Sequence, residues 1–193
     1  KWSRRAAEQG DVTAQYNLAL AYVIAQGVPQ DYGEAIKWFR LAAEQGFAEA
    51  QYNLGVIYGT GQGVPQDYKE AIKWYRLAAS QGVAYAQYNL GLMYANGQGV
   101  ERDQNKAVDW CRRAAEQGNV GAQKILGMMY FRGDGVPQDY VQAHKWSDLA
   151  AAQGDKDAAV TRDDIAGKMT TVQIAAAEKL ARGWKPTMSA VVH

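Results

Sequence analysis

The sequence predicts an all-α solenoid of helical hairpins with a 36-residue period and a C-terminal helical cap, and three observations carry that expectation. Five of the six tryptophans, Trp2, Trp38, Trp74, Trp110 and Trp146, stand 36 residues apart. Ala14, Ala50, Ala86 and Ala122 keep the same register, as do Leu18, Leu54, Leu90 and Leu126, and Tyr22, Tyr58, Tyr94 and Tyr130. Residues 11–46, 47–82, 83–118 and 119–154 align without a gap as four full units, preceded by residues 1–10 as the end of a truncated one. So regular an interval marks a tandem array whose units pack on their neighbours, not a globule around one centre.

The first helix of each unit is read from Ala14, Leu18 and Tyr22, which fall on one face at 3.6 residues per turn, with small Ala19 beside them. Later units place Gly55, Gly91 and Gly127 at the small position. Glycine within a helix costs about 1 kcal/mol against alanine, so its recurrence predicts a second backbone crossing too close for a side chain. Gly-Val-Pro-Gln-Asp at 27–31, 63–67 and 135–139, with Gly-Val-Glu-Arg-Asp at 99–103, then reads as a connection. Its glycine supplies a left-handed turn, proline stops the helix, and aspartate caps the next one. Asp31 with Glu34, Asp67 with Glu70 and Asp139 with Gln142 have capping-box spacing, whereas Asp103 with Lys106 does not, so the third unit is expected to start its second helix most weakly. That second helix carries Ala35, Trp38 and Ala42 on one stripe and ends at Gly46, repeated as Gly82, Gly118 and Gly154. At helical spacing beside alanines, the tryptophans and tyrosines read as core packing, not as an aromatic ligand box.

The array stops after residue 154, where the leucine, glycine and tyrosine positions become Arg162, Asp163 and Ala166. Residues 155–184 are assigned to a cap: a helix to about 168, then a second one from a Thr170–Gln173 capping box with Ile174, Ala177, Leu180 and Trp184 on one side. Residues 185–193, with Pro186, are expected to form a mobile tail.

Composition narrows function. Twenty-one basic and 20 acidic residues leave a formal charge of +1 without a run of like charges, which argues against a nucleic-acid partner. No apolar run approaches the ~20 residues of a membrane span. Lone Cys111 reads as a small buried hydrophobe, His144 as a surface or boundary residue, and Asp163-Asp164 as a solvated face. No zinc-protease, paired-cysteine or nucleophile-elbow motif occurs, and the Gly-x-Gly turns lack the strand-to-helix setting of a phosphate loop. No enzyme activity, metal or cofactor is therefore expected. The chain begins Lys1-Trp2-Ser3 in mid-repeat and reads as a trimmed piece. Its uncovered Trp2 end offers a route to self-association, and the compartment stays open.

The pattern A-x-x-x-L-G-x-x-Y-x-x-G-x-G-V, followed by D-x-x-x-A-x-x-W and a terminal A-A-x-x-G, resembles the Sel-1-like repeat, a relative of the tetratricopeptide repeat. It is fullest at 50–82 and 86–118, and Met169-Thr170 with Leu180-Ala181-Arg182-Gly183-Trp184 is similar to the cap of bacterial members. The resemblance implies a right-handed α/α superhelix used as an adaptor or scaffold, with the first helices lining a concave side. The chain lacks the cysteines of the disulfide-bearing secreted branch.

A helical wheel leaves Tyr16, Asn17 and Leu20 of the first unit beside the buried stripe, with Tyr52, Asn53 and Val56, then Tyr88, Asn89 and Leu92, as equivalents. In the fourth unit Lys124 and Ile125 break the tyrosine and asparagine rows, Met128 continues Leu20, Val56 and Leu92 as an apolar pocket, and Arg132 lies on the same face. An asparagine amide donates and accepts, so a row of them suits the backbone of an extended peptide, while tyrosine gives contact area at low entropic cost. Lys124 and Arg132 make one end basic and suited to a ligand carboxylate. The competing reading has the asparagines bonding neighbouring helices and the tyrosines packing between units. A peptide or protein ligand, a structural spacer and a hydrolase are thus the three functions carried forward, in that order.

Overall fold

The computed structural model describes residues 4–187, so the Trp2 end and the tail beyond 187 lie outside the described residues. Every regular element among them is a helix: α1 (Arg4–Glu8), α2 (Val12–Ile24), α3 (Tyr32–Glu44), α4 (Ala48–Thr60), α5 (Tyr68–Ser80), α6 (Ala84–Asn96), α7 (Gln104–Glu116), α8 (Val120–Arg132), α9 (Tyr140–Ala152), α10 (Lys156–Ala166) and α11 (Thr171–Gly183). The chain divides into two compact units, Lys1–Ala86 and Gln87–His193. In the first, α2 pairs with α3 and α4 with α5, while α3 packs on α4 and α1 on α2. In the second, α8 pairs with α9, α7 packs on α8, and both α10 and α11 pack on α9.

Side-chain caps start most helices. Asp31, Asp67, Asp103 and Asp139 each accept the backbone N–H three residues on, at 3.0 Å in every case. Such a cap contributes about 1 kcal/mol. Asp103 thus caps α7 at the same distance as the others without the capping-box partner, and Lys106 Nζ also pairs with it at 2.9 Å. Glu34 and Glu70 are turned to Lys37 and Lys73, one turn on, and the reciprocal capping box is made at Thr170 and Gln173. Helix α4 starts without a side-chain cap, preceded by Phe47, whose ring packs 4.9 Å from that of Tyr16.

The core differs from the expected aromatic ladder in one respect. Trp38, Trp74 and Trp110 are half-buried at the edge of the core, and among the described tryptophans only Trp146 is fully covered. The next residue on each second helix is buried instead, Phe39, Tyr75, Cys111 and Ser147 in turn. It faces the small position of the first helix. A Cβ built on Gly55 would stand 2.5 Å from the Tyr75 ring, and one on Gly127 would stand 2.6 Å from Ser147 Oγ; on Gly91 the obstacle is Cys111 Sγ. The crossing is close as expected, but a side chain is met before the backbone.

Buried glutamines were not foreseen. Gln15, Gln51 and Gln123 donate through Nε2 to the carbonyls of Ala7, Ala43 and Ala115, eight residues earlier. Their Oε1 atoms, with that of Gln87, accept from Gln45, Gln81, Gln153 and Gln117, thirty residues later, at 2.7–2.8 Å. The amides of Gln15, Gln51 and Gln123 thus tie a first helix both to the helix before it and to the end of the helix after it. An unpaired amide at these depths would cost about 1–3 kcal/mol. The signal was visible, since glutamine recurs at 36 residues as strictly as tryptophan.

The cap also departs from expectation. Helix α11 buries Ala177 and Ala181, while Leu180 is exposed and Ile174 half-buried. Residues 185–187 are held, because Thr187 N–H donates to the Glu116 carbonyl at 2.7 Å and Pro186 and Trp184 lie against Gly118.

Candidate functional site

The face singled out on the first helices is incompletely buried throughout. In the first compact unit Tyr16, Asn17 and Leu20 on α2, and Tyr52, Asn53 and Val56 on α4, are all half-buried, whereas Leu18, Leu54 and Ile57 on the opposite stripe are buried. Tyr16 is wedged between Phe39 and Phe47, at centroid distances of 5.8 and 4.9 Å, and its hydroxyl accepts from Asn53 Nδ2 at 3.4 Å. Burial pushes the Tyr16 phenol up, opposed by the Asn53 bond. Tyr52 lies 6.0 Å from Tyr75 and 6.2 Å from the exposed Tyr85. One of the hydrogen-bonding groups of the Asn53 amide is therefore spent inside the fold.

In the second compact unit Tyr88, Asn89 and Leu92 on α6 and Lys124, Ile125 and Met128 on α8 are half-buried, and Arg132 is exposed. Tyr88 rests on Gly121, where a Cβ would approach its Cζ to 3.0 Å. Burial raises its phenol pKa as well.

Lys124 corrects the expectation of a free basic end. Its Nζ pairs with Asp155 at 2.9 Å and Asp157 at 3.5 Å, at the start of α10. The Asp155 bond raises the lysine pKa, and the Ala158 N–H followed by Lys124 lowers that of Asp155. The carboxylate that Lys124 was expected to receive from a ligand comes from the chain itself.

Nucleophile chemistry is poorly served. Cys111 is buried and its thiol is pushed up to about 12 by desolvation, so it is protonated at neutral pH. His144 is buried on α9, not at the boundary as expected, and burial lowers its pKa. Ser147, one turn on, is buried too, and neither His144 Nδ1 nor Ser147 Oγ has a hydrogen-bond partner, so the two do not form a serine–histidine pair. Asp163 and Asp164 are exposed, with Asp163 paired to Arg162 at 2.8 Å. Among the described residues no group of three or more His, Cys, Asp or Glu is arranged to hold a metal, and no helix is long and apolar enough to cross a membrane.

A further contact missed in the sequence joins successive repeats. Arg40 on α3 donates to the Tyr58 hydroxyl on α4 at 2.8 Å, and Arg112 on α7 to the Tyr130 hydroxyl on α8 at 3.2 Å. At Tyr58 and Tyr130 the polar end of the tyrosine ladder is thus structural.

Comparison with known proteins places this geometry. A family model described as Sel1 repeat matches residues 1–11, 12–47, 48–83, 84–119 and 120–155. The chain is similar to the crystal structure of a protective antigen of uropathogenic Escherichia coli strains displaying an SLR fold, at 42% identity and a TM-score of 0.85. It is similar also to a Sel1 repeat protein from Oxalobacter formigenes, at 40% identity and 0.76. These likenesses cover 93% and 83% of this chain but only 38% and 47% of theirs. Helicobacter pylori cysteine rich protein B shares the fold at 23% identity and a TM-score of 0.51, over 67% of this chain and 98% of its own. Among curated proteins none matches. Sel1 repeat proteins are in general non-catalytic scaffolds of protein interaction.

Proposed function

The chain belongs to the Sel1 repeat family, and from that premise we propose that it is a non-catalytic module that holds an extended segment of another protein against its first helices. Within the first compact unit the contacts are Tyr16, Asn17, Leu20, Tyr52, Asn53 and Val56; within the second they are Tyr88, Asn89, Leu92 and Met128, with Arg132 the exposed cation beside them. The observation that supports this reading is that, within each compact unit, the aromatic, amide and aliphatic side chains named are half-buried. Half-buried amides and phenols gain more from a ligand backbone than fully solvated ones, because less water and less side-chain freedom remain to be displaced. Lys124 enters as the internal partner of Asp155 and not as an anchor for ligand charge.

The bond from Asn53 to Tyr16 favours the second reading, a spacer whose asparagines serve the fold. Panning a library of displayed linear peptides against the chain and against a variant with Asn17→Ala, Asn53→Ala and Asn89→Ala separates the two. Three amide contacts at about 1 kcal/mol each correspond to roughly a hundredfold in affinity, with helicity by circular dichroism unchanged. Peptides retained equally by both chains would leave the spacer reading standing.

A further inference from the structure

The second helices repeat one short pattern three times: Lys37-Trp38 with Leu41 on α3, Lys73-Trp74 with Leu77 on α5, and Lys145-Trp146 with Leu149 on α9. Helix α7 breaks it, having Asp109 before Trp110 and Arg113 in the leucine place, its guanidinium 5.0 Å from the Trp110 ring. On α9 the chain covers the pattern itself. Helix α11 packs along α9, and the Trp184 ring meets Trp146 edge-on at 6.4 Å. Trp146 keeps 4% of its surface as a result. What α11 buries is small, Ala177 and Ala181, so the two backbones come close and the indole at its end closes over the tryptophan.

On α3 and α5 the same pattern is open. Trp38 and Trp74 are half-buried, and Leu41 and Leu77 remain 44% and 47% exposed. The lysine that lies over the indole on α9, 4.0 Å from the Trp146 ring centre, has its counterparts Lys37 and Lys73 paired with Glu34 and Glu70. These are the only second helices among the described residues to show an exposed leucine at this place. Single exposed leucines are ordinary, but a leucine and a tryptophan one turn apart, repeated on successive second helices, form the kind of seat that a helix occupies.

We infer that Trp38 with Leu41 on α3, and Trp74 with Leu77 on α5, form a docking surface for a short helix of another protein, one with alanine-sized residues on its buried face and a tryptophan at its C-terminal end. The occupant is specified by α11, which shows on α9 the chemistry that covers this pattern. The surface lies on the second helices and is separate from the asparagine and tyrosine rows of the first.

The probe is a fluorescein-labelled peptide with the sequence of residues 170–187, titrated into the full chain and followed by anisotropy. Saturable binding is expected, weakened at least about tenfold by the pair Leu41→Glu and Leu77→Glu, and equally when the peptide carries Trp184→Ala. Both leucines are exposed, so helicity should not change, and a chain with Asn17→Ala, Asn53→Ala and Asn89→Ala should bind the peptide like the parent. Equal binding by parent and Leu41→Glu/Leu77→Glu chains overturns the inference, as does no binding at about millimolar peptide. A chain that sediments as a dimer dissolved by the same leucine pair would make the occupant a second copy, and the assignment to another protein would fall.

Discussion

His144 occupies, 36 residues on, the place of Ile36, Ile72 and Val108, all buried. Read by residue type it looks like a boundary group; read by register it belongs inside, and the register wins because a solenoid buries the same positions in every unit. Desolvation disfavours its charged form, lowering its pKa, while nearby Asp148 and Arg162 act in opposite senses. In the unfolded chain the imidazole protonates near the ordinary value of about 6.5. Below that pH the unfolded state binds the additional proton, so this contribution to stability is complete above about pH 6.5 and declines as pH falls through the lower folded value. Asp103 and Asp155 are held below the usual carboxylate range and lose their contributions only at more acid pH. The urea midpoint should therefore drop between about pH 7 and pH 5, and His144→Leu should flatten that drop. An undiminished drop in the variant would place its origin elsewhere.

At the scale of the helix pair, the recurring glycine of the first helices was legible as a close approach, but its cause was not. Sequence periodicity identifies which face is buried and says nothing of which atom arrives first. In the second hairpin that atom belongs to the Tyr75 ring, near its root and unable to swing away cheaply. The first hairpin has Ala19 with Phe39 at the corresponding places, so an added methyl is compatible with the fold once the ring and helix shift. Gly55→Ala should accordingly cost about 1–3 kcal/mol through overpacking. One turn on, Gly59 gives the opposite result. A Cβ there meets Ala71 Cβ at 3.6 Å and Tyr75 Oη at 3.7 Å, ordinary contact distances, and Gly59→Ala should stabilise α4 by about 0.5–1 kcal/mol from backbone entropy alone. Denaturant midpoints of the two variants, with opposite signs, check the crossing geometry; equal signs would contradict it. The glutamine clips belong to the same scale. They recur as regularly as the tryptophans, yet a polar residue beside an apolar stripe reads as solvated until the carbonyl and the second amide that satisfy it are seen.

At the scale of the whole chain, the 36-residue period made the helices, their order and the end of the array legible, because each unit meets only its sequence neighbours and local pattern decides local structure. The partnership of Lys124 with α10 and the seating of residues 185–187 were not legible, since both join segments that lie outside the repeat. The partial burial of the candidate face was legible, and an asparagine bonded to a neighbouring helix was one of its two readings; that Tyr16 is the partner of Asn53 was not, for it depends on two side chains 37 residues apart meeting at one point. The terminal element gives a test of how far such local dependence extends. Trp184 covers Trp146, lies on Gly118, and precedes the Thr187 bond to Glu116. Trp184→Ala should cost about 2–4 kcal/mol as a large partly buried indole is lost. Because repeats are stabilised by nearest neighbours, hydrogen exchange should quicken in α7 to α11 and leave the amides of α2 to α5 at their parental rates. If α2 to α5 quicken equally, the chain opens as one cooperative body and the neighbour-only account of its stability fails.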